Sequence, residues 1–345
     1  MARATLVAIS AASSPERPRG RDRSRDAAAV SSTASSARSV PGWPVAFRGT
    51  AAVLAGLVTP GQLRGPTYLR LFPDTYVRRG AEPPDLGVRS YAAHLYSGRR
   101  GILSGYSAAN RLDAACHPPD APAELTVHRG ELRSRAGLVV HRDRMRADEY
   151  LVDAGVPVTT SLRSAYDLGR WLPLIEAVVA VDALAGRGRF PPSAVLDVAG
   201  RYPGARGCTQ LPRVIGLADA RAGSPMETRL RLLLVLRGLP APEVQYPVQD
   251  ERRRRAVWLD LAYPDRRIGI EYEGEEHTRP QRVLRDVGRY TGLVDRGWRI
   301  YRFTKYEVYG ELDEIAAKIR RALAAEMGAV VARTVIEQRS PPSRR

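Results

Sequence analysis

Hydrophobic spacing divides the chain into short helices and strands between two ends that carry almost none. Residues 1–42 are Ala, Ser and Arg with scattered Pro and hardly a large apolar side chain. Ordering such a segment costs more entropy than its burial returns, so it reads as a disordered leader, and residues 331–345 read as a disordered basic tail. The leader's Arg- and Ser-rich, acid-poor make-up also resembles an organelle transit peptide, although Pro15 and the Pro18-Arg19-Gly20 turn spoil an amphipathic helix. A true start near Val45 is a third reading. From Val45 the pattern predicts a short helix ending at Gly56. A second follows through Leu63, with Thr59 as N-cap and Pro60 at the first helical position. Extended residues Tyr68 to Arg78 complete a winged-helix-like segment over 43–80.

A middle α/β region, 81–220, follows. Ser104-Gly105-Tyr106-Ser107-Ala108-Ala109 opens a helix, Leu125 to Val127 and Gly137 to His141 alternate as strands, and Ser161 to Trp171 and Leu172 to Leu184 keep helical spacing. The Gly-, Pro- and Arg-rich stretch from Tyr202 to Gly223 then marks a boundary. A last unit occupies 221–330, so the fold class expected is α+β (α/β). Ser224-Pro225-Met226-Glu227 starts its first helix, with Leu230, Leu233 and Leu234 on one face and Gly238 and Pro240 at its end. Glu227 is either the capping-box residue of that helix or a metal ligand.

The runs Ala256 to Tyr263 and Arg267 to Gly274, joined by Pro264-Asp265-Arg266, predict a hairpin. With Asp265 and Arg266 at the tip, Tyr263 pairs with Ile268, Leu261 with Ile270, and Asp260 directly with Glu271. Strict alternation then puts Leu259, Leu261, Ile270 and Tyr272 on one face and Asp260, Ala262, Gly269, Glu271 and Glu273 on the other. Carboxylates directly opposite one another repel, and a hard divalent cation would relieve them. Ala262 and Gly269 beside the acids would leave room for it. After His277 a helix is expected from about Pro280 to Arg296, with Arg282, Arg285 and Arg289 lining one side as candidate phosphate contacts. A strand at Trp298 to Phe303 and a closing helix at Glu311 to Glu326 end the unit.

Composition narrows this picture. A chain of 345 residues, 44% of them hydrophobic, can bury more than one core. No run approaches the roughly 18 apolar residues of a membrane span, since even Leu230 to Leu236 is interrupted by Arg231. The formal charge of +17 favours polyanionic partners. Nearly every base is Arg, however, with only Lys305 and Lys318 as lysines, which is also the mark of a GC-rich coding bias. Cys116 and Cys208 lie far apart, and none of the five histidines shows metal-ligand spacing. A reducing, cytoplasmic compartment is therefore expected, with no membrane association and the oligomeric state open.

Five pieces carry a resemblance: Ser-Pro-Met-Glu-Thr-Arg at 224, Leu-Asp-Leu-Ala-Tyr-Pro at 259, Ile-Glu-Tyr-Glu-Gly-Glu-Glu-His at 270, Arg285-Asp286, and Gly-Trp-Arg-Ile-Tyr-Arg-Phe at 297. Over about the last hundred residues the chain resembles a domain-of-unknown-function family related to very-short-patch-repair endonucleases, within the PD-(D/E)XK nuclease superfamily. The upstream half loosely resembles abortive-infection type antitoxins of toxin-antitoxin systems. The first resemblance implies a mixed sheet flanked by helices, Asp260 in the superfamily's Asp position and Glu271 in its Asp/Glu position. Glu273 stands where the usual lysine would be, which removes the ordinary water-activating group, so His277 or the metal alone would have to serve. This branch often has an acid there, in an acid-Gly-x-x-His segment that Glu273 and His277 match.

The expected activity is a phosphodiester hydrolase, a Mg2+- or Mn2+-dependent endonuclease acting on DNA. Asp260 and Glu271 would hold the metal, Glu273 would add a ligand or orient water, and His277 would protonate the leaving group or contact phosphate. The alternative is an antitoxin-like DNA-binding regulator with an inactive nuclease fold, and a third reading is an interaction protein that binds no nucleic acid.

Overall fold

Three separate sheets organise the chain, as a computed structural model describing residues 46–114, 116–250, 255–274 and 291–325 shows. The expected disordered ends at 1–42 and 331–345 lie outside those residues. The first sheet is antiparallel, in the order β1-β3-β2, from β1 (Ala46–Arg48), β2 (Tyr68–Phe72) and β3 (Thr75–Arg78). Between β1 and β2 run α1 (Gly49–Leu54) and α2 (Pro60–Arg64). Thr59 and Gln62 form a reciprocal capping box, the N-terminal signal read from Thr59-Pro60. The hairpin tip residue Asp74 accepts from Arg48 Nε and from the amide and hydroxyl of Thr50, each at 2.7 Å, which pins α1 to the sheet.

Helix α3 (Leu86–Tyr96) was not anticipated, and it removes any clean break after residue 80. Tyr91, Ala92 and Leu95 of α3 share one core with Phe72 and Val77 of the first sheet and with Leu103, Leu125, Val140 and Val158 of the next. That second sheet has the order β6-β5-β4-β8-β7, built from β4 (Ile102–Leu103), β5 (Ala123–Val127), β6 (Leu138–Arg142), β7 (Tyr150–Asp153) and β8 (Val156–Thr159). Only β5 and β6 are legible as strands in the sequence.

Helices α4 (Gly105–Arg111), α5 (Ser161–Trp171), α6 (Leu174–Gly188), α7 (Ala194–Gly200) and α8 (Leu211–Leu217) surround a second apolar cluster. Gly105 has φ +53°, and a Cβ there would lie 2.4 Å from Glu124 Oε2. The glycine therefore lets Glu124 reach the start of α4, where it accepts from the Tyr106 amide at 2.9 Å and pairs with His141 Nε2 at 2.7 Å.

Beside this cluster lies an ionic one. Arg163 is 1% exposed and binds Asp167 Oδ2 at 2.9 Å, Asp143 Oδ2 at 3.0 Å and the Glu149 carboxylate, while the Tyr166 and Tyr202 rings lie against its guanidinium. Neighbouring Arg170 pairs with Asp143 and Asp167. Buried charges of this kind persist only when each is paired.

The third sheet is mixed, in the order β12-β11-β10-β9. It follows α9 (Pro225–Leu236) and comprises β9 (Glu243–Asp250), β10 (Arg255–Tyr263), β11 (Ile268–Glu273) and β12 (Arg299–Thr304). The first three strands form an antiparallel meander, and β12 returns parallel to β11. Short α10 (Lys305–Gly310) and α11 (Leu312–Ala324) close the described chain. One face of the sheet packs on α9, α10 and α11 through Leu230, Leu234, Ile270, Phe303, Ile315 and Ile319. The other packs Leu259, Ala262 and Ile300 on Leu293 and Trp298. The protein is thus a mixed α+β chain, and among the described residues no helix is long and apolar enough to cross a membrane.

Helix α9 ties the last unit to the middle region. Its Leu230, Leu233 and Leu234 enter the sheet core, but Leu232 belongs to the α5–α6 cluster. Polar contacts follow the same seam: Asp182 on α6 accepts from Thr228 Oγ1 at 2.9 Å, Arg231 Nη2 at 2.7 Å and the Asp219 amide at 2.7 Å. Glu176 holds Arg229 through two bonds of 2.8 and 2.6 Å.

Candidate functional site

The hairpin forms in the register read from the sequence: Tyr263 pairs with Ile268, Ala262 with Gly269 and Leu261 with Ile270. Pro264–Arg266 makes a single 3-10 turn and Arg267, at φ +48°, completes the reversal. One position further out the expected direct pair of Asp260 with Glu271 is not part of the ladder. The ladder changes there. Pairing of β10 with β9 passes from Leu259↔Tyr246 to Leu261↔Val244, and pairing with β11 ends at Leu261↔Ile270, so neither ladder includes Asp260. Gln245, opposite the gap, has φ +52°. The register is the same on both sides of the gap, so no residue is inserted, and the two strands break their pleat together at Asp260 and Gln245.

The Asp260 carboxylate takes over a role in the ladder. Its Oδ2 accepts the amide hydrogen of Tyr272 at 2.9 Å, so the side chain bonds to β11 where the backbone pairing stops. The break also corrects the expected division of faces. Leu259 and Leu261 were to share one side, yet Leu259 packs with Val248, Leu293 and Trp298, whereas Leu261 packs with Leu230 and Ile270. An irregularity between them reverses the alternation, since period two holds only while the pleat is unbroken.

The space expected beside Ala262 and Gly269 is filled. A Cβ on Gly269 would meet Ile300 Cδ1 at 2.7 Å and Leu259 Cδ1 at 2.9 Å, and Ala262 is fully buried. Those small residues accommodate the displaced Leu259 and do not open a metal cavity. The acids stand further along: Glu271 is buried, while Asp260 and Glu273 are half-buried.

Three partners were missed. Gln245 Nε2 donates to Glu227 Oε2 at 2.8 Å, and the same oxygen accepts the Gly223 amide hydrogen at 2.8 Å. Glu227 therefore ties the start of α9 to β9 at the break in the pleat. Ser224 caps the helix by accepting from the Glu227 amide at 3.2 Å, so the capping-box reading holds only in part: the carboxylate reaches Gly223 and not the Ser224 amide. The third is Arg302, which is registered with Glu271 on the parallel strand and lies 3.7 Å from Glu273 Oε1. Its place was readable, because Tyr301 and Phe303 are core residues and the intervening side chain must face the other way.

Arg302 and the Tyr272 amide together offset part of the repulsion that a cation alone was expected to relieve. Among the described residues no three His, Cys, Asp or Glu side chains stand close enough to form a metal-binding group. Convergence of Asp260, Glu271 and Glu273 on one ion is therefore not found in this arrangement. His277, Arg282, Arg285 and Arg289 lie outside the described residues.

What fold and site define is an α+β protein with a mixed sheet that breaks its pleat at Asp260, with the buried Glu271 on the neighbouring strand and with Glu227 and Arg302 at its border. No family model matches the chain. It is similar to Uncharacterized protein Rv2248 and Uncharacterized protein MT2308 of Mycobacterium tuberculosis, from two strains. Each is 31% identical over 249 residues, 70% of this chain and 89% of the relative. The chain belongs to the family of these mycobacterial proteins.

Proposed function

We propose that the protein is a metal-dependent endonuclease of the PD-(D/E)XK type, related to very-short-patch-repair endonucleases, that hydrolyses DNA phosphodiesters. The observation that carries this reading is the Asp260 carboxylate, set where both ladders are interrupted and bonded to the amide of Tyr272, the residue that follows the buried Glu271. A break at one point of an otherwise regular ladder takes its side chain out of the strict two-residue alternation and re-aims it. The mixed sheet with helices on α9's side agrees with the fold that the sequence resemblance implies.

The donor set fits Mg2+ or Mn2+. Both acids offer hard carboxylate oxygens, and such an ion takes one or two carboxylates with waters and substrate phosphate, so a third protein ligand is not required. When bound, the ion supplies a Lewis acid that eases ionisation of water and offsets charge on the phosphate. Asp260 and Glu271 would hold it. Glu273, already facing Arg302, would orient water, and Arg302 would bring a phosphate towards the acids. Glu227 fixes the Gln245 side of the break and is not needed as a ligand.

The second reading, a DNA-binding antitoxin-like regulator, draws on β1-α1-α2-β2-β3, in which α2 is largely exposed beside a hairpin. Incubating the purified chain with supercoiled plasmid, with Mg2+, Mn2+ or EDTA, separates the two. Nicking or linearisation only with metal is expected. Retarded but uncut plasmid under every condition would favour the regulator.

A further inference from the structure

The exposed aromatic side chains among the described residues are Trp258, Tyr306 and Tyr309, at 52%, 80% and 57%. All three fall in the four-stranded unit. Trp258 precedes Asp260 by two residues on β10. Tyr306 follows by two residues Thr304, the partner of Glu273 across the parallel ladder, and at about 3.8 Å per residue its backbone stands within about 8 Å of that row. A single exposed ring means little. Aromatic rings gathered with cations at the end of an acid-bearing sheet are a more specific pattern.

The start of α10 holds Tyr306 in place. Thr304 and Glu307 form a reciprocal capping box, with the Thr304 amide and hydroxyl both donating to Glu307 Oε2 at 2.8 Å. The Glu307 carboxylate is thereby engaged with the cap. Two cations stand close by in sequence, both exposed: Lys305 directly before Tyr306, and Arg302 on β12 two residues before Thr304. Tyr309, one turn on, rests against the Arg229 guanidinium at 5.8 Å.

We propose that Tyr306 is a stacking platform for an unpaired base of single-stranded DNA, with Lys305 and Arg302 taking the adjoining phosphates. Every base has a π-face, so a fixed ring beside cations binds single strands with little regard to sequence. In a duplex those faces are covered by neighbouring base pairs, and a surface tyrosine has nothing to stack on. The inference rests on the nuclease reading and names its substrate: the strand delivered to Asp260 and Glu271 is unpaired, as in a flap, a bubble or a displaced strand.

The test is binding by the full-length protein, in EDTA at low ionic strength, of a short single-stranded DNA carrying one 2-aminopurine, whose fluorescence is quenched on stacking. Tyr306→Ala is expected to weaken binding about 5- to 150-fold and abolish the quench, while Tyr306→Phe retains both. Equal affinity and quench in wild type and Tyr306→Ala overturn the platform and leave the nuclease reading standing. An equal loss on fully paired duplex, or tighter binding of RNA of the same sequence, overturns the choice of single-stranded DNA. If wild type binds no DNA at all, the platform and the nuclease reading fail together.

Discussion

The carboxylate of Asp260 accepts the amide hydrogen of Tyr272 at 2.9 Å, so one side chain completes the hairpin and stands at the candidate metal position. Two variants separate these roles. Asp260→Asn keeps an acceptor for the amide and should retain the wild-type midpoint in urea while losing Mg2+-dependent cleavage. Asp260→Ala should lose cleavage and also about 1–3 kcal/mol of stability, the cost of an unsatisfied buried donor. Cleavage at the wild-type rate by Asp260→Asn would show that the site lies elsewhere.

Glu271→Gln should abolish cleavage without weakening DNA binding at low salt, because it removes negative charge next to the bound phosphate. Gel-shift titration beside a nicking assay reads both. Weaker DNA binding by the variant would count against the placement of phosphate here.

Binding to DNA should fall steeply between 50 and 200 mM salt, by about 10³- to 10⁵-fold if 6 to 10 phosphates are contacted. Absence of binding even at low salt would make the arginine excess a coding bias.

The buried ionic cluster makes a prediction about stability alone. Arg163→Met leaves Asp167, which is fully buried, and Glu149 short of a partner, and should cost about 3–5 kcal/mol in urea unfolding. A loss below about 1 kcal/mol would mean that Arg170 and Arg201 suffice.

Burial pushes the Asp182 carboxyl up to about 6 from 3.8, although Arg231, the Asp219 amide and Thr228 pull it down. With the folded value above the unfolded one, the unfolded chain ionises first as pH rises. Stability is therefore lost between about pH 4 and pH 6 and is level above. The stability of wild type relative to Asp182→Asn should accordingly fall across that window. Urea unfolding of both at the two ends checks it, and a difference that grows with pH would contradict the sign.

Much of the third sheet was legible because its cues are local. Pro264-Asp265-Arg266 sets the turn, the turn sets the register, and Ser224-Pro225 sets the start of α9. The break at Asp260 was not legible, since alternation is continuous through Leu259-Asp260-Leu261 and nothing in those letters marks a change of face. Its nearest trace is Pro247 in β9, tolerated because that strand is the sheet's edge. Gln245 and Glu227 meet only after α9 and β9 have folded together, and the Arg163 cluster draws its members from distant segments. Both depend on long-range contacts that spacing along the chain does not carry.

Helix α9 gives Leu232 and Thr228 to one core and Leu230 and Leu234 to another. A gene fragment encoding only residues 221–345 would bring this helix into a new host with one side bare, a greasy stripe and an orphaned hydroxyl facing water. Such a fragment invites aggregation unless the recipient supplies a matching helix. The two regions are therefore bound to travel as one folding unit, since each supplies the surface that the other's helix must bury.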